Sequence, residues 1–568
     1  MQNFIFKNRI KKETNSFGLV WQLVFLALLS CGTLSGFAQE QLAGPGPTKP
    51  KGIAGANRLM ENPKLFWKFF ESDNRVQARN TIDTIVADGM KIKKLTPSPL
   101  CNDAVFIRRV YYDLTGFPPS FTDAYNFLRD TDKNKRAKLI DKLLDSKDYI
   151  DYRTMLWCDM LRVKSEFPIN LWPNGTMIYY RWLRDRVRLN TPWTDMCREL
   201  ILADGSNFRV GPSNFYRAVN PHTPEGIADA VVRFFLGTRL TSLTSEQQKD
   251  MIALFSRITI KKSAEWKEEI TYWTRQPLDK KNFKMIDSST ITVDPEQDPR
   301  EVFANWLIRE DNHQFNYTIV NRLWYWLFGR GIVQEPDDFR KGNPPVYPEL
   351  FNFLERELLL TNYDMKHITR LILNSHTYQQ SSIARLDYGD EEKYFASYPI
   401  RRHPAEILQD TFIKIFDIKV TYKSEVPEPF TYIPDQIRTA AISDSGITNS
   451  FLETFGRASR DSGLMADRNN KTSQSQQLFF LNSTEMNNWT KNLIAQINNF
   501  IPSGKNDRAA KQDQLMNVVW MTLLSRLPTP PERIVLRQTF GSNRDWTRED
   551  VHDIIWAVVN TKEFLCQH

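Results

Sequence analysis

The sequence predicts a mainly α-helical, multi-helical protein with little β structure, built from about three helix–proline turn–helix–helix units in two domains. Three observations support this fold class. Apolar residues recur at i, i+3 and i+4 spacing from about residue 59 onward, and alternation typical of strands is rare. A helical repeat is also visible. Hydrophobic residues make up 41% and charged residues 25% of the chain. This balance is ordinary for a globular protein and excludes a membrane bundle, a disordered tail and a coiled-coil rod.

The first 38 residues read as a signal peptide. Basic residues between Lys7 and Lys12 precede an apolar run from Leu19 to Leu29, and small residues precede Gln39 at the expected cleavage point after Ala38. A lipid anchor at Cys31 is the alternative, although the second Leu before its small residue fits a lipoprotein site poorly. We therefore expect an exported protein, located in the periplasm, on the outer surface or outside the cell.

Residues 39–58 form a Pro/Gly-rich tether, whose central stretch GPGPTKPKG (44–52) has no apolar content. Beyond it no run of 18 apolar residues occurs, so we expect no transmembrane anchor. Without the first 38 residues the formal charge is +5, spread over the rest of the chain. A charge that small argues against a dedicated nucleic-acid binder.

Cysteine and histidine are too scattered to indicate a metal or covalent haem site. The four cysteines after the signal lie more than ten residues apart, and no CxxC, CxxCH or HExxH pattern occurs. The sequence leaves two alternatives for the cysteines: a disulfide between Cys158 and Cys197, or isolated buried thiols. We predict no cofactor, and leave Ca²⁺ binding through loop carboxylates open.

The helical repeat shows in three segments that end alike, LLDSKDY (143–149), ILNSHTY (372–378) and VVNTKEF (558–564). A proline pair precedes each closing aromatic by 30 to 33 residues, and an aromatic-rich amphipathic run precedes each proline pair. The expected buried stripes of the third helix are Leu139, Ile140, Leu143 and Leu144 in the first copy, and Ile554, Ile555, Val558 and Val559 in the last. Capping boxes are predicted at Ser120 with Asp123, Thr529 with Glu532, and Thr547 with Asp550.

Between the repeat segments the elements are less regular. A helix is predicted within 171–193, with Tyr180, Leu183 and Val187 inside. Residues 261–297 look like a connector, and Asp298 begins a new helix. Residues 421–448 are Pro/Ser/Thr-rich and predict a loop. The chain is thus expected to comprise an N-terminal helical domain, 59–260, and a C-terminal helical domain, 298–568.

Several sequence blocks, in order, resemble a secreted bacterial family of unknown function. These blocks are FIRRVYYDLTGFPPS (106–120), FFLGTRL (234–240), NRLWYWLFGRGIVQEPDDF (321–339), NPPVYPELFNFL (343–354), FGRASRDSG (455–463), DRNN (467–470) and LFFLNS (478–483). The family has paired domains often called planctomycete-specific cytochrome-associated domains. The resemblance runs from about Asn80 to the C-terminus and implies a first family domain at roughly 80–260 and a second at 298–568.

The departures from the family pattern concern haem. After the FLG-type segment many relatives carry CxxCH, the motif that attaches c-type haem, whereas this chain has Ser242 to Glu246 there. Before the RNN element many relatives carry Cys-x-Cys, and here Leu464 and Ala466 occupy those places. Thioether attachment needs two thiols, and the iron needs an imidazole. We therefore predict that covalent haem is lost in this member.

The richest polar run is the best candidate binding site. It contains Arg457, Arg460, Asp461, Asp467, Arg468, Asn469 and Asn470. Arginine and amide side chains at this density suit an anionic or polyhydroxyl ligand. They equally suit a packed loop whose backbone is satisfied by side chains.

Two smaller clusters are secondary candidates. Arg109 and Asp113 are spaced i, i+4 and can pair on one helix face, as a structural ion pair or in a pocket. Arg322 and Arg330 accompany two adjacent carboxylates, Asp337 and Asp338, which suit acid–base work, Ca²⁺ binding or helix capping. Tryptophans could stack on sugars if exposed, although most are expected in the core: Trp157, Trp172, Trp182, Trp193, Trp324 and Trp326.

Taken together, these features favour an exported cell-envelope protein that acts as a non-catalytic binding or scaffold component. Its expected partner is an envelope protein or a glycan. The alternative is an enzyme acting on extracellular glycans, with carboxylates such as Asp113, Asp337 or Asp461 as acid and base. No GxSxG, P-loop or Rossmann glycine pattern occurs, so the common hydrolase, phosphotransferase and nicotinamide chemistries lack support.

Overall fold

A computed structural model describes residues 69–72, 78–383, 392–433, 437–468, 471–498 and 508–568. The predicted signal peptide and tether, Cys31, and the candidate residues Asn469 and Asn470 lie outside these ranges. The fold is mostly helical, with 55% helix and 6% strand. The predicted fold class is therefore confirmed at the level of helix content.

The helices up to the β-rich segment have the following bounds: α1 Thr81–Ile92, α2 Asp103–Thr115, α3 Phe121–Arg129, α4 Lys135–Leu144, α5 Lys147–Met160, α6 Trp172–Arg188, α7 Trp193–Leu202, α8 Asn214–Arg217, α9 Pro224–Leu236 and α10 Ser245–Phe255. Helix α6 is the helix predicted within 171–193, and Tyr180, Leu183 and Val187 are buried on it.

The later helices are α11 Pro299–Leu307, α12 His313–Phe328, α13 Pro348–Leu360, α14 Met365–Leu373, α15 His376–Gln379, α16 Ala405–Phe416, α17 Ser450–Thr454, α18 Gln474–Asn482, α19 Thr484–Asn498, α20 Arg508–Leu524, α21 Pro530–Phe540, α22 Arg548–Val559 and α23 Lys562–Leu565. Helix α11 begins after Asp298, whose side chain accepts from the Arg300 amide. The described part of 421–448 contains one short 3₁₀ turn, Thr439–Ala441, and is otherwise loop, as predicted.

Two of the three predicted capping boxes are complete, and the one at Ser120 is present only in part. Thr529 with Glu532 and Thr547 with Asp550 form capping boxes at α21 and α22, and Pro530 takes the first helical position of α21. Ser120 accepts from the Asp123 amide at α3. The buried stripes of α4 and α22 are those predicted from the sequence.

The three repeat segments share one local geometry, at the start of the short or long helix that follows each of them. Ser146, Ser375 and Thr561 each cap a following helix by accepting from the amide of the closing aromatic, at 3.1, 3.1 and 3.2 Å. That aromatic, Tyr149, Tyr378 or Phe564, is buried in each case. The repeated hydroxyl and aromatic therefore each have a structural task at the start of a helix.

The strands lie mostly where the sequence indicated a connector. Strands β2 (Ile258–Lys262) and β3 (Glu269–Trp273) pair antiparallel, with β1 (Gly205–Ser206) on the other side of β3. Strands β4 (Asn282–Lys284) and β5 (Thr290–Thr292) form a second pair, and β6 (Arg401–Arg402) pairs with β7 (Cys566–Gln567). Segments of two to five residues carry too little alternation for sequence reasoning to detect.

The described residues form two large apolar clusters, and the first contains residues from both predicted domains. The first draws on residues from Phe70 to Tyr398, on both sides of the connector, and on Met521, and the second on residues from Ala405 to Phe564. Trp157 of α5, for example, packs edge-on against Trp326 of α12, with ring centroids 5.1 Å apart. The predicted domains thus share apolar core.

Cysteines and tryptophans are largely internal. Cys101, Cys158 and Cys197 are buried free thiols and Cys566 is half-buried, so the alternative disulfide between Cys158 and Cys197 is not formed in this structure. Burial raises the pKa of Cys158 to about 12. Four of the six tryptophans singled out from the sequence are buried, whereas Trp172 and Trp182 are half-buried. Across the described ranges, no helix is both long and apolar enough to span a bilayer.

Candidate functional site

Arg460 anchors the polar run in the interior. Its side chain is 0% exposed, and its guanidinium donates to Asp159 at 2.9 Å and to the carbonyl oxygens of Val163 at 3.1 Å and Ser443 at 2.9 Å. Its backbone has a φ of +61°, in the left-handed region that non-glycine residues rarely adopt. The loop is therefore held at this point by side-chain contacts with the end of α5.

Arg468 and Arg457 surround a buried carboxylate that sequence reasoning missed, Glu406 of α16. Arg468 donates to both Glu406 and Asp159, and Arg457 lies 3.5 Å from Glu406. Burial alone would raise the pKa of Glu406, but the positive charges of Arg468 and Arg457 outweigh it and lower this pKa to about 2. Glu406 is therefore ionised at neutral pH and balances the arginines.

The two aspartates of the run lie farther out. Asp461 pairs with Lys164 at 2.7 Å, and its side chain is half-exposed. Asp467 accepts hydrogen bonds from the backbone amide and the hydroxyl of Ser462, which fold the loop on itself. The structure thus brings Arg457, Arg460 and Arg468 together, while the two aspartates stabilise the loop from its edge.

Arg109 and Asp113 do not pair with each other in the described part of the chain, so the i, i+4 pairing is wrong. Asp113 accepts from the hydroxyls of Tyr378 at 2.7 Å and Tyr398 at 3.0 Å, and pairs with Arg401.

Arg109 instead donates to the carbonyl oxygens of Tyr378 at 2.6 Å, Gln380 at 2.8 Å and His568 at 2.8 Å. Its guanidinium also lies 3.7 Å from the ring centroid of Tyr398. Both partner sets come from distant segments, which helical spacing cannot indicate. Arg109 therefore connects helix α2 to the C-terminal segment of the chain.

The second cluster also separates into individual contacts. Arg322 donates to Asp337 at 2.9 Å and 3.1 Å, whereas the adjacent Asp338 pairs with Arg340 at 3.0 Å. Arg330 has a buried Nε atom without a hydrogen-bond partner among the residues that the structure describes. Asp337 and Asp338 therefore have different ion-pair partners.

A cavity of about 270 Å³ is lined by residues of both the polar run and the Asp113 cluster. Its lining includes Asp113, Asp159, Arg401, His403 and Arg468. We call it the arginine-rich cavity. The polar run and the Asp113 cluster, which are far apart in sequence, therefore meet at one place.

His403 is the cavity residue with the most unusual environment. Its ring packs on Tyr112 with centroids 4.0 Å apart, and its Nε2 atom is buried without a hydrogen-bond partner in the described ranges. Burial, together with the positive charge of Arg108, holds the pKa of His403 well below its usual range. The cavity wall thus presents a neutral imidazole.

The residues that sequence reasoning missed are Asp159, Arg401, His403 and Glu406. Three of them stand in one run, RRHPAE (401–406), which leads into and begins the apolar helix α16. This concentration of charged residues at the start of α16 could have indicated a polar site. Asp159 gave none, because it lies among the apolar residues of α5.

A metal site would need several His, Cys, Asp or Glu side chains close together. Within the ranges described, no cluster of three or more His, Cys, Asp or Glu side chains has a metal-binding arrangement. At the place of the family's haem motif, Thr244 and Gln247 form the capping box that starts α10. The side chains present there have neither thiol nor imidazole, so they do not fit covalent haem.

Comparison with known families places these blocks in two domains. Residues 81–250 match PSCyt2, a protein of unknown function (DUF1549), and residues 299–540 match PSD1, a protein of unknown function (DUF1553). The chain belongs to these planctomycete cytochrome-associated families of unknown function. Both matched ranges lie within the two predicted domains, whose own limits stay predictions. No curated protein and no solved structure matches the chain.

Proposed function

We propose that this chain is an exported cell-envelope component that binds or scaffolds other envelope components, without catalysing a reaction. The pairing of its carboxylates carries the proposal. Asp113 pairs with Arg401, Asp337 with Arg322 and Asp461 with Lys164. Carboxylates whose oxygens are taken up by such donors are poorly placed to exchange protons with a substrate. They hold distant segments together instead.

The arginine-rich cavity is the proposed binding site. Its arginines, the neutral imidazole of His403 and several half-buried side chains suit a polar group of an envelope protein or glycan. Met465 also lines it, and Met465→Trp fills the cavity without removing an ion pair. We expect this variant to lose co-sedimentation with isolated cell envelopes, whereas Leu360→Ala, at an exposed helix position, keeps it. Equal sedimentation of both variants would contradict this assignment.

We further propose that this member carries no covalent haem. The support is the side-chain set at residues 242–246, where Thr244 is committed to the cap of α10. The purified protein should show no Soret absorption, and its intact mass should equal that of the polypeptide. A Soret band that survives denaturation would refute the proposal.

Export is proposed from the N-terminal sequence, and the same mass measurement tests it. Cleavage after Ala38 gives a chain beginning at Gln39, whereas the alternative gives an acylated chain beginning at Cys31. Either product, recovered from the envelope fraction, supports export. A full-length chain in the cytoplasm contradicts it.

The competing function is an enzyme that cleaves extracellular glycans. One observation favours it: Asp113 and Asp159 line the same cavity. Release of reducing ends from envelope polysaccharide, lost in Asp113→Asn and Asp159→Asn, would establish that function in place of the one proposed. We expect no release by the unmodified protein.

We also propose that the three helical units are copies of one arrangement. The support is the shared cap, in which Ser146, Ser375 or Thr561 holds the amide of a buried aromatic. Similar placement of the preceding helices, α4, α14 and α22, strengthens it.

A further inference from the structure

A second and larger pocket lies away from the arginine-rich cavity and shares no lining residue with it. Its volume is about 720 Å³. Four chain segments form it: the loop that leads into α6, the end of α8 at Arg217, the turn between β2 and β3, and the loop around Val426. A volume of this size falls in the range of pockets that bind small organic ligands.

Aromatic rings form one wall of the pocket. Trp172 packs edge-on against Trp266 with centroids 4.8 Å apart, and Phe430 contacts both, at 6.0 Å and 5.4 Å. Trp266 is 59% exposed, Phe430 49%, and Phe167 at the pocket edge 78%. Exposed rings gathered at one place are unfavourable in water unless they serve a contact, so this cluster indicates a binding surface.

The backbone around the pocket is held in an uncommon conformation. Asn170, Trp172 and Lys267 have φ angles of +57°, +66° and +64°. Bulky residues such as tryptophan rarely occupy this left-handed region, and strain of this kind concentrates where function requires it. The strained positions include a tryptophan of the aromatic wall and the neighbour of Trp266.

The polar side of the pocket carries charges of both signs. Arg217 pairs with Glu269, and Lys267 lies 5.3 Å and 5.6 Å from the ring centroids of Trp172 and Trp266. Glu166 accepts from the Glu425 amide at 3.0 Å, forms no ion pair in the described ranges, and has its pKa raised by burial.

The presence of both acidic and basic side chains in the lining limits the kinds of ligand that the pocket can bind. A charged ligand favours a lining of the opposite sign, whereas hydroxyl groups both donate and accept hydrogen bonds and suit donors and acceptors side by side. The C–H faces of sugar rings also match the apolar faces of tryptophan, which combines an apolar body with a polar edge.

We propose that this pocket binds an uncharged oligosaccharide, with a sugar ring stacked on Trp266 and its hydroxyls bonded to the neighbouring charged side chains. The proposal concerns a separate site, and it stands whether or not the arginine-rich cavity binds an envelope component.

Calorimetric titration of the purified full chain with neutral tetrasaccharides tests it, using cellotetraose, chitotetraose, maltotetraose and mannotetraose. At least one should bind saturably and change the tryptophan fluorescence. Trp266→Ala should weaken that binding about tenfold or more, because the stacked ring face is lost. Trp266 is exposed, so its replacement leaves the core intact. The matched control is Tyr125→Ala, which removes a partly exposed aromatic ring on α3, away from the pocket. This variant should bind the sugar as the unmodified chain does.

Three results would overturn the proposal: no saturable binding of any of the four sugars at millimolar concentration, binding that Trp266→Ala leaves unchanged, or selective binding of tetramethylammonium, which would mark the rings as a site for organic cations. None of these affects the Met465→Trp experiment, so the two sites are tested independently.

Discussion

Arg460 is the residue whose loss should affect the polar loop most. Replacing it by methionine leaves Asp159 short of one partner and frees the buried carbonyls of Val163 and Ser443. Breaking a buried ion pair from one side costs about 3–5 kcal/mol. We expect Arg460→Met to lower the free energy of unfolding, measured in urea, by about that amount.

Asp461→Asn is the matched control for Arg460→Met. It removes a pair with Lys164 on the same loop, but one whose aspartate is half-exposed. Exposed pairs contribute about 0–1 kcal/mol. An equal loss in the two variants would show that the loop is not held through Arg460.

Glu406 should make stability depend on pH in the acidic range. Its pKa falls from about 4.5 in the unfolded chain to about 2 in the fold, so the folded state favours the ionised form. Its contribution is complete above about pH 4.5 and is lost as the pH falls toward 2. The stability advantage of the unmodified chain over Glu406→Gln should shrink across that window.

Denaturation of both chains at several pH values measures the difference. Glu453→Gln, at an exposed surface pair with Lys423, should show a much smaller change. A gap between the unmodified chain and Glu406→Gln that stays constant from pH 5 to 3 would contradict the assignment.

The capped helices α5, α15 and α23 carry a prediction at the scale of the element. Ser146→Ala, Ser375→Ala and Thr561→Ala each remove the hydroxyl that accepts from the first-turn amide. Loss of such a cap costs about 1 kcal/mol. We expect all three variants to lose a similar amount in urea denaturation.

Thr561→Ser retains the hydroxyl and should restore most of that stability. If only one of the three positions matters, the proposal that the units are copies of one arrangement fails.

Elements were predictable from the sequence wherever a local signal defines them. The caps of α21 and α22 and the stripes of α4 and α22 follow from residue type and spacing alone. The β2–β3 pair was missed because it depends on pairing between short segments. Asp113 and Arg401 lie 288 residues apart, so their pairing depends on tertiary structure that no local pattern encodes. The arginines of the polar run were singled out from the sequence, whereas their buried partner Glu406 was not.

At the scale of the whole molecule, the two family domains should unfold together. Trp157 and Trp193 of the first pack against Trp326 and Phe315 of the second, and Arg322 donates to a backbone carbonyl of α9. Cooperative unfolding requires such a shared core. Calorimetry should therefore show one main transition for the full chain.

Residues 59–297 expressed alone would expose that apolar surface, so we expect little near-ultraviolet circular dichroism and rapid proteolysis. Two separated transitions, or a folded isolated half, would contradict a shared core.

The contacts of α2 have a consequence for how the chain folds. Arg108 donates to the carbonyl of Phe564, 456 residues later, and Gln567 donates to the carbonyl of Arg109, 458 residues earlier. Closing loops of that length makes contact order high and folding slow. Helix α2 emerges early from the ribosome, yet it cannot complete its packing until nearly the whole chain has been synthesised. Its native surroundings must therefore assemble late, and chaperones that keep the early helices from aggregating should increase the yield of folded protein.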